Sequence, residues 1–166
     1  TRRSSDLYTH KEILAHTLGY VGAISPKDLK ELSKNDPIMQ IENFMIGKVG
    51  IEKGLDKYLR GQVGLGKYEV NASGKIIRKL GEESSSPGKD LHLTLDSNLQ
   101  KFSMLRIKEY SASVVVIDLK HGGIICMASN PSFDPNKFVE GISQKDWNIL
   151  LDSKNQPLAN KAISGN

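Results

Sequence analysis

The chain has 166 residues, of which 38% are hydrophobic and 25% are charged, and its formal net charge is +4. These values are typical of a globular protein with one large or two small domains. They argue against nucleic-acid binding, because lysines alternate with acidic residues and aromatic residues make up only 6% of the chain. No apolar run is long enough to cross a bilayer and no signal peptide is visible, so any anchor of the natural protein is expected to lie outside this sequence.

The N-terminal part carries signals for short elements only. Residues 1–9 are polar and are expected to be loose. The stretch Leu18–Gly22, interrupted by glycines, indicates a short strand. Ser25 and Pro26, followed by Asp28, predict a helix start, because serine caps free amide groups and proline fits the first helical position.

A second helix is predicted over residues 51–60, because its apolar residues fall on one helical face. Gly61 then suits the position after the last turn. A glycine-rich stretch before a helix can bind phosphate. However, Gly47–Gly50 lacks the preceding strand and the following Lys-Ser/Thr pair of a P-loop, so phosphate binding is not predicted there.

The middle of the chain predicts strands. Lys67–Val70 and Lys75–Leu80 flank Asn71–Gly74, which indicates a β-hairpin with a four-residue turn. The polar residues 82–89 indicate an exposed linker. Alternating leucines in residues 91–95 predict a half-buried strand.

The most pronounced pattern is a second hairpin. Val114–Ile117 and Ile124–Ala128 are apolar runs, and the glycines of Lys120–Gly123 between them allow a tight turn. Because neither run alternates with polar residues, both faces of this central hairpin are expected to be covered. The single cysteine, Cys126, is therefore expected in the core. No His, Cys or acidic cluster has metal-ligand spacing, and we predict neither a metal nor a cofactor.

Two helices are predicted on either side of this hairpin. Asp96 or Ser97 caps the first, over residues 98–110, whose apolar side would consist of Leu99, Phe102, Met104 and Leu105. Ser143 caps the second, which contains Trp147, Leu150 and Leu151. Residues 138–142 and 152–166 are expected to form loops.

Several stretches resemble the class B penicillin-binding proteins. The dimerisation, or pedestal, domain of that family is similar to His16–Val21, Gly47–Glu52, Leu59–Gly64 and Glu69–Lys75. Asp90–Asp96, followed by Leu99 and Gln100, resembles the start of the transpeptidase domain. The elongation-specific members of the family are similar to Ser129–Asn136, Phe138–Ser143 and Pro157–Ala162.

The resemblance implies an α+β fold. A β-rich pedestal domain with short helices is expected over residues 1–89. The first helix and antiparallel hairpin of a penicillin-recognising transpeptidase domain are expected over residues 90–166. The positions that carry the resemblance are interpreted as structural or interaction sites: His16, Gly19, Tyr20, Gly47, Gly50, Glu52, Arg60, Gly61, Asn71, Gly74, Asp96, Asp118, Gly123, Pro131, Asp134, Pro135 and Asn136.

The resemblance also implies a function for the parent protein. Family members are peptidoglycan D,D-transpeptidases whose serine attacks the D-Ala-D-Ala bond of a stem peptide and is acylated by β-lactams. Their Ser-x-x-Lys would follow a few residues after Gly165 and Asn166. This chain is therefore expected to stop before the nucleophile and to contain no catalytic residue.

Three short patterns imitate catalytic motifs and are rejected. Ser86–Lys89 has the letters of Ser-x-x-Lys, but its proline and glycine disfavour a helix. Lys120–Gly122 imitates Lys-Thr-Gly at a predicted turn. Ser164–Asn166 imitates Ser-x-Asn at the end of the chain. Their order along the chain also differs from that of the family.

The leading interpretation is a non-catalytic fragment of a D,D-transpeptidase that cross-links stem peptides during rod elongation, on the periplasmic side of the bacterial inner membrane. Stem peptides and β-lactams would bind the parent. The alternative is a stand-alone module that docks on the rod-shape scaffold protein and the SEDS-type glycan polymerase of the elongation machinery. A spacer without partners is the third interpretation. In the isolated fragment, residues 113–128 are expected to be disordered, repacked or dimerised.

Overall fold

The structure is a computed structural model that describes residues 7–31, 36, 38, 41 and 43–164. After a 3₁₀ turn at Lys11–Ile13, the helices are α1 (Ala15–Leu18), α2 (Asp28–Glu31), α3 (Gly50–Gly54), α4 (Asp56–Leu59), α5 (Ser97–Arg106), α6 (Asn136–Val139), α7 (Gln144–Leu151) and α8 (Lys161–Ser164). The strands are β1 (Val21–Ala23), β2 (Met45–Gly47), β3 (Leu65–Val70), β4 (Ile76–Glu83), β5 (Ala112–Ile117) and β6 (Ile124–Asn130). The fold is α+β, as predicted.

The strands form two-stranded sheets that pair β1 with β2, β3 with β4 and β5 with β6. The last two pairs are antiparallel hairpins. In the β5–β6 pair, Val114 lies opposite Ala128 and Val116 lies opposite Cys126. Both hairpins are therefore formed by the segments that the sequence indicates.

The chain divides into two compact units. The first contains the described residues within Thr1–Gly22, Gly47–Gly54 and His92–Asn166, and the second contains those within Ala23–Ile46 and Leu55–Leu91. Each unit is thus built from separate stretches of the chain. The proposed domain boundary after residue 89 stays a prediction.

The core of the first unit lies between α5 and β6, which pack together. Cys126 and Ala128 of β6 are fully buried, which confirms the expectation for the cysteine. The polar residues Gln100 and Ser103 of α5 are buried beside them. A polar helix face in a core requires hydrogen-bond partners, and the Ser103 hydroxyl accepts from the Cys126 thiol at 3.3 Å.

The second unit is dominated by the β3–β4 hairpin. Its turn has the predicted position, and Asn71 stabilises it by accepting hydrogen bonds from the amides of Ser73 at 3.1 Å and Lys75 at 2.9 Å. Gly74 adopts a φ of +78°, which favours glycine. The supposed linker is partly regular, because β4 extends to Glu83.

Three predicted helix caps are present. Asp28 accepts a hydrogen bond from the Ser25 amide at 2.7 Å, and its own amide donates to the Ser25 hydroxyl at 3.4 Å, which is a reciprocal cap. Asp96 accepts from the amides of Asn98 and Leu99 at the start of α5. Ser143 accepts from the Asp146 amide at the start of α7.

The helix predicted over residues 51–60 is interrupted. It consists of α3 and α4, which are separated at Leu55, where φ is −116° and ψ is 21°. Gly54 precedes this break and weakens the helix, because glycine loses more backbone entropy than other residues. Leu55 and Tyr58 are exposed whereas Ile51 and Leu59 are half-buried, so the predicted apolar face is buried only in part.

Residues 91–95 do not form the predicted strand. The Thr94 hydroxyl donates to the Ile124 carbonyl at 2.6 Å, and the Asp96 amide donates to the Ile125 carbonyl at 2.8 Å. One of these bonds comes from a side chain, so the segment runs along β6 without forming a backbone ladder.

The buried face of α5 differs from the predicted one. Phe102 and Leu105 are 58% and 62% exposed, whereas Gln100 and Ser103 are buried. The predicted apolar side is therefore confirmed only in part, since Leu99 and Met104 are half-buried. The most buried position of the helix is Gln100, which binds backbone groups.

The β5 strand has one covered face instead of the predicted two. Its residues alternate between partly buried and exposed, with Val115 and Ile117 on the exposed side. Within the described residues, β5 pairs only with β6, and on its outer face Ser113 bonds to the Lys161 carbonyl of α8 while Val115 and Ile117 remain exposed. The expected disorder of residues 113–128 stays a prediction.

The C-terminal loops contain two further short helices. Residues 138–142 overlap α6, and residues 152–166 contain α8. The strand predicted at Leu18–Gly22 is present as β1, but it begins later because Ala15–Leu18 is helical.

Candidate functional site

Asn136, at the start of α6, holds the main chain of Tyr8. Its side-chain oxygen accepts from the Tyr8 amide at 2.9 Å, and its side-chain nitrogen donates to the Tyr8 carbonyl at 3.0 Å. Asp134 orients the Asn136 amide group, because its carboxylate accepts from the same nitrogen at 3.0 Å. Asn136 is buried, and its amide group bonds both the N–H and the C=O of Tyr8, as the main chain of a neighbouring strand would.

The Tyr8 side chain continues this network. Its hydroxyl donates to the Glu52 carboxylate at 3.1 Å and accepts from the Val21 amide at 2.9 Å. Burial raises the pKa of Tyr8 far above its usual value, and the charge of Glu52 acts in the same direction. Tyr8 therefore stays protonated at neutral pH and connects α3 to the start of β1.

Three glycines allow main-chain segments to touch beside this network. Gly19 has a φ of +81°, and a Cβ there would collide with the Val49 carbonyl. Gly50 has a φ of +64°, and its Cβ would lie 2.7 Å from the Gly19 nitrogen. A Cβ on Gly47 would collide with the Glu52 carbonyl. These positions require glycine for space, and the first two also for backbone conformation.

An aromatic cluster packs around Phe133, which is itself buried. Tyr20 stacks on Phe138 with ring centroids 4.3 Å apart. Phe133 makes edge-to-face contacts with His16 and Phe138, and the ring centroids are 5.3 Å and 5.2 Å apart. Such pairs add stability beyond the area they bury.

His16 closes the cluster. Its Nε2 donates to the Pro131 carbonyl over 3.3 Å. Burial lowers the pKa of His16, although the Pro131 carbonyl opposes this shift. The imidazole is therefore favoured in its neutral form, with the proton on the nitrogen that faces Pro131.

We call the following set the motif cluster: Tyr8, His16, Gly19, Tyr20, Gly47, Gly50, Glu52, Pro131, Phe133, Asp134, Pro135, Asn136 and Phe138. The structure brings together ten positions that the sequence singled out. Tyr8, Phe133 and Phe138 were not among them. Tyr8 was missed because it lies in a polar N-terminal stretch that the sequence indicates to be loose.

Gln100 is a further residue to which the sequence alone assigns no role. Its Nε2 donates to the carbonyls of Ile13 at 2.9 Å and Met127 at 2.8 Å, and its oxygen accepts from the Met127 amide at 2.9 Å. The side chain is 1% exposed. The helix is rich in polar residues, so its sequence does not distinguish Gln100 from its neighbours.

The other motif positions of the first unit stabilise turns and caps. Asp118 accepts from the Lys120 amide at 2.9 Å and from the His121 ring at 2.5 Å, and the His121 contact lowers the pKa of Asp118. A Cβ on Gly123 would lie 3.1 Å from the Thr94 methyl group. Lys120–Gly122 is indeed a hairpin turn, as expected of a chance match to a catalytic motif.

In the second unit, Arg60 and Gly61 organise the end of α4. Arg60 pairs with Asp36 at 2.7 Å and with Asp56 at 3.5 Å, and all three side chains are less than 20% exposed. Gly61 has a φ of +71°, and a Cβ there would collide with the Ser86 carbonyl. Ser86 forms an antiparallel β-bridge with Gln62. The Ser86–Lys89 pattern therefore does not begin with a helical serine.

The β3–β4 hairpin exposes large apolar side chains. They are Tyr68, Val70, Ile76, Ile77 and Leu80, and each is close to half exposed or more. We call this set the hairpin patch. Apolar groups concentrated on one exposed element are typical of an interaction surface.

Within the described residues, no group of three His, Cys, Asp or Glu side chains is arranged to hold a metal ion. No helix in that part of the chain has the length and apolar character needed to span a membrane. The motif cluster forms a rigid junction between the segment at Tyr8, α3, the start of β1 and the start of α6, because its polar groups bind one another and the main chain.

Known proteins are similar to this chain over most of its length. Residues 2–93 match the family described as the penicillin-binding protein dimerisation domain. The peptidoglycan D,D-transpeptidase MrdA of Escherichia coli K12 is 40% identical over 159 residues, which are 95% of this chain and 25% of that protein. The chain thus spans about a quarter of the length of this curated relative.

Two solved structures are similar in fold. The complex between penicillin-binding protein PBP2 and MreC from Helicobacter pylori gives a TM-score of 0.77 at 34% identity, over 93% of this chain and 28% of that one. Pseudomonas aeruginosa PBP2 in complex with WCK 5153 gives 0.74 at 32% identity, over 95% of this chain and 30% of that one. Because the family match covers more than half of the chain, this protein belongs to the penicillin-binding protein dimerisation-domain family.

Proposed function

We propose that this chain is the non-catalytic support region of a peptidoglycan D,D-transpeptidase that acts in rod elongation. The observation that carries the proposal is the 40% identity to MrdA over 95% of the chain, together with the dimerisation-domain match of residues 2–93. The pedestal would occupy residues 1–89, and residues 90–166 would begin the transpeptidase domain, on the periplasmic side of the inner membrane.

The motif cluster supports a mechanical role in this proposal. Asn136 and Tyr8 are joined through two hydrogen bonds to the main chain, and Tyr8 also binds Glu52 and Val21. A part that holds a catalytic domain in position benefits from such fixed contacts. None of these residues is assigned a step in acyl transfer, and stem peptides and β-lactams would bind the longer parent protein.

Labelling with a fluorescent penicillin tests the non-catalytic part of the proposal. We expect no covalent label on the purified chain, while full-length E. coli MrdA, as the positive control, is labelled under the same conditions. Acylation of any serine in this chain, found by peptide mass spectrometry, would refute it.

The second candidate function is an interaction module for the rod-shape scaffold protein and the glycan polymerase. The hairpin patch favours this function, and one similar structure is a complex between PBP2 and MreC. Binding would bury apolar side chains that are exposed in the chain alone.

A pull-down with the purified scaffold tests this module. The double variant Ile76→Ser/Ile77→Ser should lose most of the binding without unfolding the chain. The matched control is Leu119→Ser, because Leu119 is 96% exposed at the β5–β6 turn, outside the patch. Equal retention of scaffold by both variants would contradict docking through the hairpin patch.

A further inference from the structure

A polar cavity of about 450 Å³ lies where the start of β5 meets α8 and the segment before it. Its lining consists of Ser111, Ala112, Ser113, Lys154, Asn155, Gln156, Ala159, Lys161 and Ser164. We call it the Lys161 cavity. Its volume falls in the range of small-molecule sites, but unlike most of them it has only two apolar residues in its wall.

The main chain of Lys161 is fixed to both strands of the adjacent hairpin. Its amide donates to the Ser129 hydroxyl at 3.0 Å, and its carbonyl accepts from the Ser113 hydroxyl at 3.3 Å. The base of this lysine is therefore positioned by the sheet, which reduces the entropy lost when its side chain binds a ligand.

The ammonium group of Lys161 is also positioned. Its Nζ donates to the Gln156 carbonyl at 3.2 Å. Gln156 has a φ of +45°, a backbone conformation that residues other than glycine adopt rarely and that often marks functional segments. The Lys161 ammonium group is thus bound to the carbonyl of Gln156, a residue with an unusual backbone conformation in the wall of the cavity.

This cation has spare hydrogen-bonding capacity. An ammonium group has three donors, of which the Gln156 carbonyl takes one. Among the described residues, no carboxylate forms an ion pair with Lys161 or Lys154, and no acidic residue lines the cavity. Burial of part of the Lys161 side chain lowers its pKa, and no carboxylate in the described part of the chain opposes this shift.

We propose that the Lys161 cavity binds a hydrophilic oxyanion, a carboxylate or a phosphate group. Lys161 and Lys154 supply positive charge, and the amide groups of Asn155 and Gln156 supply neutral donors at the rim. Charge-assisted hydrogen bonds to such an anion are short and strong compared with neutral ones. This inference does not depend on the function proposed above.

The test is a titration of the ¹⁵N-labelled chain followed by NMR at constant ionic strength and pH 7. One arm uses inorganic phosphate, a second uses N-acetyl-alanine as a carboxylate, and sodium chloride is the reference. We expect saturable shifts at the amides of Ser113 and Lys161 with at least one oxyanion. The arm with the tighter binding identifies the source of the anion, and equal binding supports recognition of the shared chemistry.

Two variants make the result specific. Lys161→Met keeps the length of the side chain and should weaken oxyanion binding about fivefold, since one partly exposed charge contact is lost. Lys120→Met, at the β5–β6 turn, is the matched control and should bind normally. If Lys161→Met disturbs the fold, Lys154→Met replaces it. Shifts that do not saturate, that chloride reproduces, or that survive both cavity substitutions would overturn the proposal.

Discussion

In the first unit the buried polar side chains reach main-chain groups that are distant in sequence, whereas in the second unit the β3–β4 hairpin exposes both its ion pairs and its apolar residues. Asn136 binds Tyr8, and Gln100 binds Ile13, in surroundings from which water is largely excluded. Arg78 pairs with Glu69 at 2.5 Å while both side chains are over 40% exposed.

This difference teaches where polar groups matter for stability. A buried hydrogen bond is costly to break because its partner remains unsatisfied, while an exposed ion pair contributes ~0–1 kcal/mol. The first unit should therefore be sensitive to polar substitutions. The hairpin of the second unit should tolerate substitutions of its exposed side chains and reveal their effect only in binding.

The largest expected effect comes from Gln100→Leu. It removes three hydrogen bonds and takes the side-chain partner from the Ile13 carbonyl and the Met127 amide, while the Met127 carbonyl keeps the Thr17 hydroxyl at 3.1 Å. We therefore expect a loss of ~2–4 kcal/mol in the free energy of unfolding. Chemical denaturation measures it. Gln144→Leu on the exposed surface of α7 is the control and should change stability by less than ~0.5 kcal/mol.

Asn136→Ala should have the next largest effect. The buried Tyr8 amide loses its side-chain partner and the Tyr8 carbonyl keeps only the Lys11 amide at 3.2 Å, which should destabilise the chain by ~1–3 kcal/mol. Asn98→Ala, at an exposed position in α5, is the matched control. Equal melting temperatures for the two variants would show that the motif cluster is not the rigid junction described here.

The pH dependence of His16 should be smaller. Burial lowers its pKa below the usual 6.5, so the unfolded chain takes up a proton first as the pH falls. The stability from neutral His16 is complete above pH 6.5 and declines below it, by at most ~1.4 kcal/mol per pH unit. Denaturation of the chain and of His16→Gln between pH 8 and 5 should converge on acidification. Parallel curves would contradict this assignment.

Ile77→Ser tests the expectation that exposed side chains of the β3–β4 hairpin contribute little to stability. Ile77 is 60% exposed in the hairpin patch, so the substitution should change the free energy of unfolding by less than ~0.5 kcal/mol. Denaturation beside Gln100→Leu measures the contrast. A loss above ~2 kcal/mol would mean that Ile77 packs against the chain and does not belong to an exposed surface.

Local signals predicted the elements whose geometry is decided locally. Both hairpins, the caps at Ser25, Asp96 and Ser143, and the turn at Asn71 follow from short-range backbone chemistry. The helix predicted over residues 51–60 is present as two short helices, and the break at Leu55 follows Gly54, which weakens a helix. The resemblance located the motif cluster, but not the contacts that its members make.

The remaining part could not be predicted because it depends on contacts across the chain. Nothing near Gln100 in the sequence indicates that its amide group binds both Ile13 and Met127. The same holds for Tyr8, whose main chain is held by Asn136 from the far end of the chain. Burial of a polar side chain is decided by its partners, and these become visible only in three dimensions.

The close approach of Gly19 to Val49 and Gly50 fixes two distant points of the chain against each other. The two ends of the intervening segment are therefore held together, so the segment forms a closed loop. Doubling the length of this loop would add only ~0.6 kcal/mol of closure entropy. Insertions at exposed positions between residues 23 and 46 should thus cost little closure entropy, whereas insertions beside Asp36 or Ile38 would disturb largely buried side chains. A methyl group added at Gly19 or Gly50 would collide with main-chain atoms and separate the two points.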